Sequence, residues 1–332
     1  MNSLAKLHLS ALDLAPITEG GSIAQTLSHS VELAQHVEAL GFKRYWVAEH
    51  HNILDIASAA TAVIIGHIAA HTKSIRVGSG GIMLPNHPPL VVAEQFGTLE
   101  TLYPGRIDLG LGRAPGTDPE TMRALRRSAV SEESEFPVQV AELQSLFLPA
   151  SQQQSVRAIP GAGINVPLWL LGSGTFTAQL AGYMGLPFVY AAHFSPRALD
   201  QALSLYRSIF RPSPQLKEPY VAVCVNIVAA DTNAEAAFLA TTEQQKFLGL
   251  VRGTRFLLPP PVVTMDDMWS TFERAQVMSM LSASIAGDVD EVRTRLASVV
   301  ERTGADEIMV NSWIHDHAAR LRSYELIAQA KG

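Results

Sequence analysis

The stretch IAQTLSHSVELAQHVEALGFKRYWVAEHH, residues 23–51, contains the unit from which the rest of the chain can be read. Leu27, Val31, Ala34, Val37 and Leu40 recur at three- and four-residue intervals, which puts them on one face of a helix over residues 23–40. Gly41 marks its end, since glycine enters the conformation of a helix stop without steric cost. The pattern then changes to a short strand, residues 44–48, and after it comes the polar run Glu49-His50-His51-Asn52. A helix with one apolar face, followed by a strand that ends in polar residues, is what an α/β layer requires.

The same alternation continues in both directions. Residues 7–12 form a strand candidate upstream, and residues 75–78, 106–111, 168–171, 187–191, 220–229 and 307–310 follow downstream. With 44–48 these make eight, the number that closes a parallel barrel, so the predicted fold is a (β/α)8 TIM barrel of the α/β class forming one domain over residues 1–332. Two further helix starts are marked. Ser195-Pro196 precedes residues 197–210, with proline at the first helical position, and Asp288 precedes residues 289–302, with Glu291 three residues later. Residues 128–167, between strands 4 and 5, and residues 246–284, between strands 7 and 8, are too long for the repeat and are insertions. Insertions at the strand ends can be lids or peripheral packing, and the sequence leaves both open.

Composition narrows the function classes. The chain has 332 residues, 47% of them hydrophobic and 17% charged, with a formal net charge of −6, so it can bury a large core and has no basic stripe for nucleic acid. No apolar run approaches the length of a membrane span, and residues 1–6 lack the pattern of a secretory signal, so a cytoplasmic protein is expected. Cys224 is the one cysteine, which excludes an intrachain disulfide and thiolate-rich metal sites.

Four strands end in polar or glycine-rich segments that a barrel would gather on one rim: Glu49 to Asn52, Gly78 to Gly81, Gly110 to Arg113, and Gly172 to Thr175. None of the glycine segments completes G-x-G-x-x-G, because Met83, Pro115 and Thr177 occupy the third glycine position. There is no phosphate loop of the G-x-x-x-x-G-K-[ST] type and no G-x-S-x-G elbow. Gly172, Ser173, Gly174 and Thr177 follow a strand and open a helix, where free N–H groups, hydroxyls and the helix dipole suit a phosphate; an ordinary turn is the other reading. Arg113 is either a phosphate clamp or the partner of a carboxylate such as Asp118. Gly80-Gly81 is either a bulge or a surface against which a flat ring can lie. His50 and His193 suit proton transfer near neutral pH, or they are hydrogen-bonded barrel histidines. Glu49, His50 and His51 are adjacent, so one metal would not readily collect all three, and His67 and His71 lack the intervening glutamate of H-E-x-x-H; no metal is expected.

Residues 44–52 (RYWVAEHHN), 77–85 (VGSGGIMLP) with Pro88 and Glu94 beyond, and 104–113 (PGRIDLGLGR) together resemble the luciferase-like monooxygenase family, in particular its small FMN-dependent bacterial members. The resemblance extends from Leu7 to Ala328, is strongest over residues 40–116 and is weaker over 246–284. It implies a flavin in the barrel mouth, a non-proline cis peptide at Gly80-Gly81 beneath the ring, and phosphate held by Ser173, Gly174 and Thr177 with Arg113 nearby. It further implies that reduced FMN reacts with O2 to a C4a-peroxide that oxygenates a small organic substrate. His50 would then shuttle protons, with Glu49 holding the flavin or His50. A separate reductase would supply the reduced flavin, and the chain would be a homodimer. Gly112 stands where the light-emitting luciferase subunit has a cysteine, so light emission is not implied. Some relatives use the deazaflavin F420. A flavin-binding protein with little turnover and a metal hydrolase are the competing classes.

Overall fold

The computed structural model describes residues 4–114, 118–125, 135–153 and 155–332. Its elements are β1 (His8–Asp13), α1 (Ile23–Ala39), β2 (Arg44–Val47), α2 (Thr61–His71), β3 (Arg76–Met83), α3 (Pro89–Leu102), β4 (Ile107–Gly112), α4 (Pro119–Ala124) and α5 (Glu135–Leu146). There follow β5 (Leu168–Gly172), α6 (Thr175–Met184), β6 (Phe188–Ala191), α7 (Leu199–Ile209), β7 (Val221–Ala229), α8 (Asn233–Leu239), α9 (Thr241–Arg252) and α10 (Thr271–Met280). The chain ends with β8 (Ile285–Gly287), α11 (Val289–Thr303), β9 (Glu307–Asn311) and α12 (His317–Lys331).

β1 to β7 pair in sequence order, all parallel, and β9 closes the ring by pairing with both β7 and β1. This is the expected barrel of eight strands surrounded by helices. A further strand, β8, lies outside the expected set: β7 continues past the ring, and its last residues, Ile227 to Ala229, pair with Ile285 to Gly287.

Side chains alternate along each strand, and the alternation divides the core. Val221, Val223, Val225 and Ile227 of β7 pack outward beneath the helices, whereas Ala222 and Cys224 join Leu12, Trp46, Trp169, Val189 and Met309 inside the barrel. Burying the apolar face of α1, expected from its spacing, places Leu33, Ala34 and Val37 in the outer layer.

Two local expectations are corrected. α7 begins at Leu199, not Arg197, and Pro196 is not its first residue; the backbone before it turns back so that the Ala198 N–H and the Ser195 carbonyl both meet Tyr190 Oη. β3 runs on to Met83 rather than stopping at Gly78, because a register shift between Ser79 and Ile82 carries the strand past its glycines. The cap of α11 is as expected: Asp288 accepts the Glu291 N–H at 3.0 Å. Its own N–H goes to Asn233, and the reciprocal capping box occurs instead at Ser270 and Glu273 of α10.

The two insertions differ. The described part of the first packs on the outside, where Phe136, Val140 and Leu143 of α5 join the outer core; residues 128–134 and 154 of that insertion lie outside the described residues. The second covers the barrel, since Phe247, Leu248, Leu258, Met265, Val277 and Leu281 close over Trp46, Trp169 and Met309.

Candidate functional site

At the N-terminal end of the barrel the interior charges satisfy one another. Arg44 reaches Asp108 at 2.7 Å and Glu307 at 3.0 Å, Arg76 reaches Asp108 at 2.7 Å, and Trp46 donates to Asp108 at 3.2 Å. Tyr220 donates to Glu307 at 2.8 Å, Ser10 donates to the same carboxylate, and the Arg44 guanidinium lies 4.3 Å from the Trp169 ring centre. Burial opposes the charge on Arg44, but Asp108 and Glu307 reverse the effect and hold it protonated.

The C-terminal end gathers the residues singled out by the sequence. The Gly80–Gly81 peptide is cis, as the resemblance implies, and the chain passes so close to β4 that a Cβ on Gly81 would lie 2.8 Å from the Gly110 carbonyl oxygen. Gly112, at the end of β4, pairs with Met83. Arg113 follows it, with its guanidinium 4.7 Å from the ring centre of Phe176 in the first turn of α6. Gly174 is the N-cap of α6, and nothing lies within 4 Å of the place a Cβ would take there. Gly172 lies tight against Thr177, whose Cβ would be 2.7 Å from a Cβ at 172, while the Ser173 carbonyl accepts from Tyr190 Oη at 3.0 Å. Arg113, Gly172, Ser173, Gly174 and Thr177 therefore converge around the N-terminus of a ten-residue helix with an open approach at Gly174, a geometry suited to an anion. Asp118, the alternative partner for Arg113, engages Arg255 at 3.2 Å, Asn52 at 3.2 Å and Thr121.

Glu49 is 1% exposed and grips the segment after β3. It accepts from the Met83 N–H at 2.9 Å and the Asn86 amide at 3.3 Å, and both His51 Nε2 and His87 Nε2 lie 2.8 Å from its Oε1. Burial would raise the Glu49 carboxyl, but the His87, Met83 and His51 donors outweigh it and leave the group below its ordinary value. The ligand atoms of Glu49, His51 and His87 lie within 4.8 Å of one another, a triad the sequence reading did not assemble because His87 is remote in the chain. Both imidazoles sit on one carboxylate oxygen at hydrogen-bonding distance.

His193 follows β6, with its N–H bonded to the Cys224 carbonyl at 2.8 Å. Its ring Nδ1 is buried and has no hydrogen-bond partner among the described residues. Burial, followed by the nearby His50 ring, lowers His193 to about 4, so at neutral pH it is an uncharged imidazole. His50 is thus near enough to act on the charge of His193.

Sequence reasoning missed the polar groups beside them. Asn226 and Asn311 are opposite one another in β7 and β9, on the inward-facing parity of Ala222, Cys224 and Met309, and Asn226 connects through Ser284 to Glu243 of α9. Asn226 was visible as the one amide in the apolar run 220–229; Glu243, in the sequence TTEQQK, reads as a solvent-facing helix residue.

A closed parallel barrel that gathers its glycine-rich and polar strand ends at the C-terminal mouth has the architecture on which α/β-barrel enzymes place their sites. The luciferase-like monooxygenase family model matches residues 7–307, and the chain belongs to that family. It is 55% identical over 325 residues to a protein of Escherichia coli (strain K12) named luciferase-like monooxygenase, covering 98% of this chain and 97% of that one. It is 30% identical over 329 residues to the N-acetyl-S-alkylcysteine monooxygenase of Bacillus subtilis (strain 168), covering 98% of each. Among solved structures, apo-MsnO8 superposes with a TM-score of 0.88 at 36% identity over 98% of both chains. No helix among the described residues is long and apolar enough to cross a membrane.

Proposed function

We propose that this chain is an FMN-dependent monooxygenase that uses reduced FMN and O2 to oxygenate a small organic substrate. The observation that carries the reading is the convergence, on one rim, of the cradle at the start of α6 with the His50 and His193 pair. The fit to FMN rests on chemistry the residues already have: an open helix N-terminus beside an arginine for a phosphate, a glycine pair on β3 for the face of a ring, and a buried, unpartnered imidazole nitrogen for a polar edge. When bound, reduced FMN supplies the electrons that activate O2 for transfer to carbon or sulfur.

The remaining work belongs to the protein. Ser173, Gly174, Thr177 and Arg113 bind the phosphate; Gly80, Gly81 and Gly112 leave room for the ring. His50 holds and moves the proton, with neutral His193 beside it. Glu49 fixes the segment from Met83 to His87 under the mouth, and so positions His50 and the ring through the backbone. Phe247, Leu248 and the other apolar residues of the second insertion exclude water. The relative that acts on N-acetyl-S-alkylcysteine supports a small organic substrate. A separate reductase supplies the reduced flavin, since the sequence has no nicotinamide fingerprint; a cytoplasmic homodimer completes the reading.

The test is a titration with oxidised and reduced FMN, and with F420, followed by oxygen consumption of the reduced-FMN complex. Tighter binding of reduced FMN and oxygen uptake that falls in His50→Ala are expected. Preference for F420, or identical oxygen kinetics in wild type and variant, would remove the cofactor assignment or the role of His50 respectively.

A further inference from the structure

At the mouth of the barrel a chain of hydrogen bonds runs in one direction. Asn311 Nδ2 donates to Asn226 Oδ1 at 2.6 Å, and Asn226 Nδ2 donates to the His193 carbonyl at 2.8 Å and to Ser284 Oγ at 3.3 Å. Ser284 Oγ donates to Glu243 Oε1 at 3.1 Å, so the chain ends with Glu243 as acceptor. Glu243 is 4% exposed on α9, and the residues that follow it, Phe247 and Leu248, belong to the same apolar cluster as Leu258 and Trp313.

Among the described residues no cation forms an ion pair with this carboxyl. Lys246, on the same helix, is committed to Asp55 and lies over the Trp313 ring, 5.2 Å from its centre. The titratable groups nearest along the network are His193, across Asn226, and His50 beyond it, and His193 is neutral. A carboxylate buried without a cation is costly, and keeping the proton removes that cost. Burial raises Glu243 to about 8 against the opposing pull of Ser284 and Asn226. The protein groups in the chain approach it as donors, leaving the acid hydrogen for something that enters the mouth.

We propose that Glu243 is a substrate-contacting residue of the barrel mouth: a neutral acid that offers its hydrogen to an oxygen acceptor on an otherwise apolar substrate, a carbonyl compound being the simplest of that class. The apolar residues of the cover, Phe247, Leu248 and Leu258, with Trp313 just past β9, fit the rest of such a molecule, and the single donor fixes its orientation. The assignment rests on the mouth being the substrate site of the monooxygenase proposed above.

Two measurements that need no flavin test it. In the infrared spectrum of the protein alone, a protonated-carboxyl stretch is expected at neutral pH, absent from Glu243→Gln and titrating away with a midpoint near 8. In calorimetric titrations with acetophenone as the probe, wild-type binding is expected to weaken above that midpoint. Glu243→Gln keeps an N–H donor at every pH and should bind with no such dependence, and Glu243→Leu should bind about tenfold more weakly. Unaltered thermal melting of the leucine variant separates contact from misfolding. A spectrum without the acid band, no acetophenone binding by wild type, or equal affinity in the leucine variant would overturn the proposal. Failure to bind FMN, with both of these results intact, would overturn the flavin reading and leave the Glu243 assignment standing.

Discussion

The two ends of the barrel interior are built on the same strands with the same alternation, yet they treat polar groups in opposite ways. At the N-terminal end Arg44 and Arg76 face Asp108 and Glu307, and Trp46, Tyr220 and Ser10 complete the bonding. At the C-terminal end, among the described residues, His193 has an unpartnered ring nitrogen and Glu243 has no paired cation. A buried polar group left open costs stability, so a fold retains it where a ligand completes it. The closed end is where the barrel is held together, and the open end is where the proposed site lies.

The largest effect should come from breaking the closed end. Arg44→Met leaves Asp108 and Glu307 without their shared cation, and a loss of about 3–5 kcal/mol is expected in urea unfolding. A loss below 1 kcal/mol would mean that water or Arg76 replaces it. At the open end His50→Ala should leave urea stability nearly unchanged while turnover falls about a hundredfold, measured as the rate of product formation by the reduced-FMN complex. Glu49 lies between these extremes in kind: Glu49→Gln keeps the shape but loses acceptor capacity for His51, His87 and Met83, and about 1–3 kcal/mol of stability is expected to go with it. FMN binding should weaken in parallel; unchanged binding would separate the segment after β3 from the cofactor site.

The remaining effect is in the pH dependence of stability, and its sign is set by Glu243. Because its value is raised in the folded chain, the folded state binds this proton more tightly than the unfolded state. Its contribution is complete below the ordinary carboxylate range and is lost as pH rises towards about 8. Melting temperatures of wild type and Glu243→Gln should therefore approach each other near about pH 5 and separate by a few degrees near pH 8, the variant being higher. Parallel curves would show Glu243 ionised throughout.

The comparison also explains what could be read in the sequence. All eight ring strands were legible because each is a short apolar run between turn signals, as in residues 168–171 and 220–229. The ninth strand was not, since Ile285 to Gly287 is three residues long and acquires its strand character from the overhanging end of β7. The turn that opens α6 was legible because Gly172 to Thr177 is contiguous. The Glu49–His51–His87 triad and the Asn226–Ser284–Glu243 chain were not, because their members come together only when β2 meets the segment after β3 and when α9 folds over the mouth. The helical spacing around Glu243 shows a polar residue; it does not show that the residue points inward.

The cover over the mouth is held along two borders of different character. On one, Lys246 and Asp55 form a tie with side chains 12% and 4% exposed; on the other, Arg255 reaches Asp118 and the Asn52 carbonyl with the paired side chains 53% and 26% exposed. Dissolved ions screen exposed charges far more than sheltered ones. Raising the salt concentration should thus loosen the Arg255 border while the Lys246 border stays fixed, giving the cover a hinge side and an opening side and making the rate of entry, but not the chemistry within, a function of ionic strength.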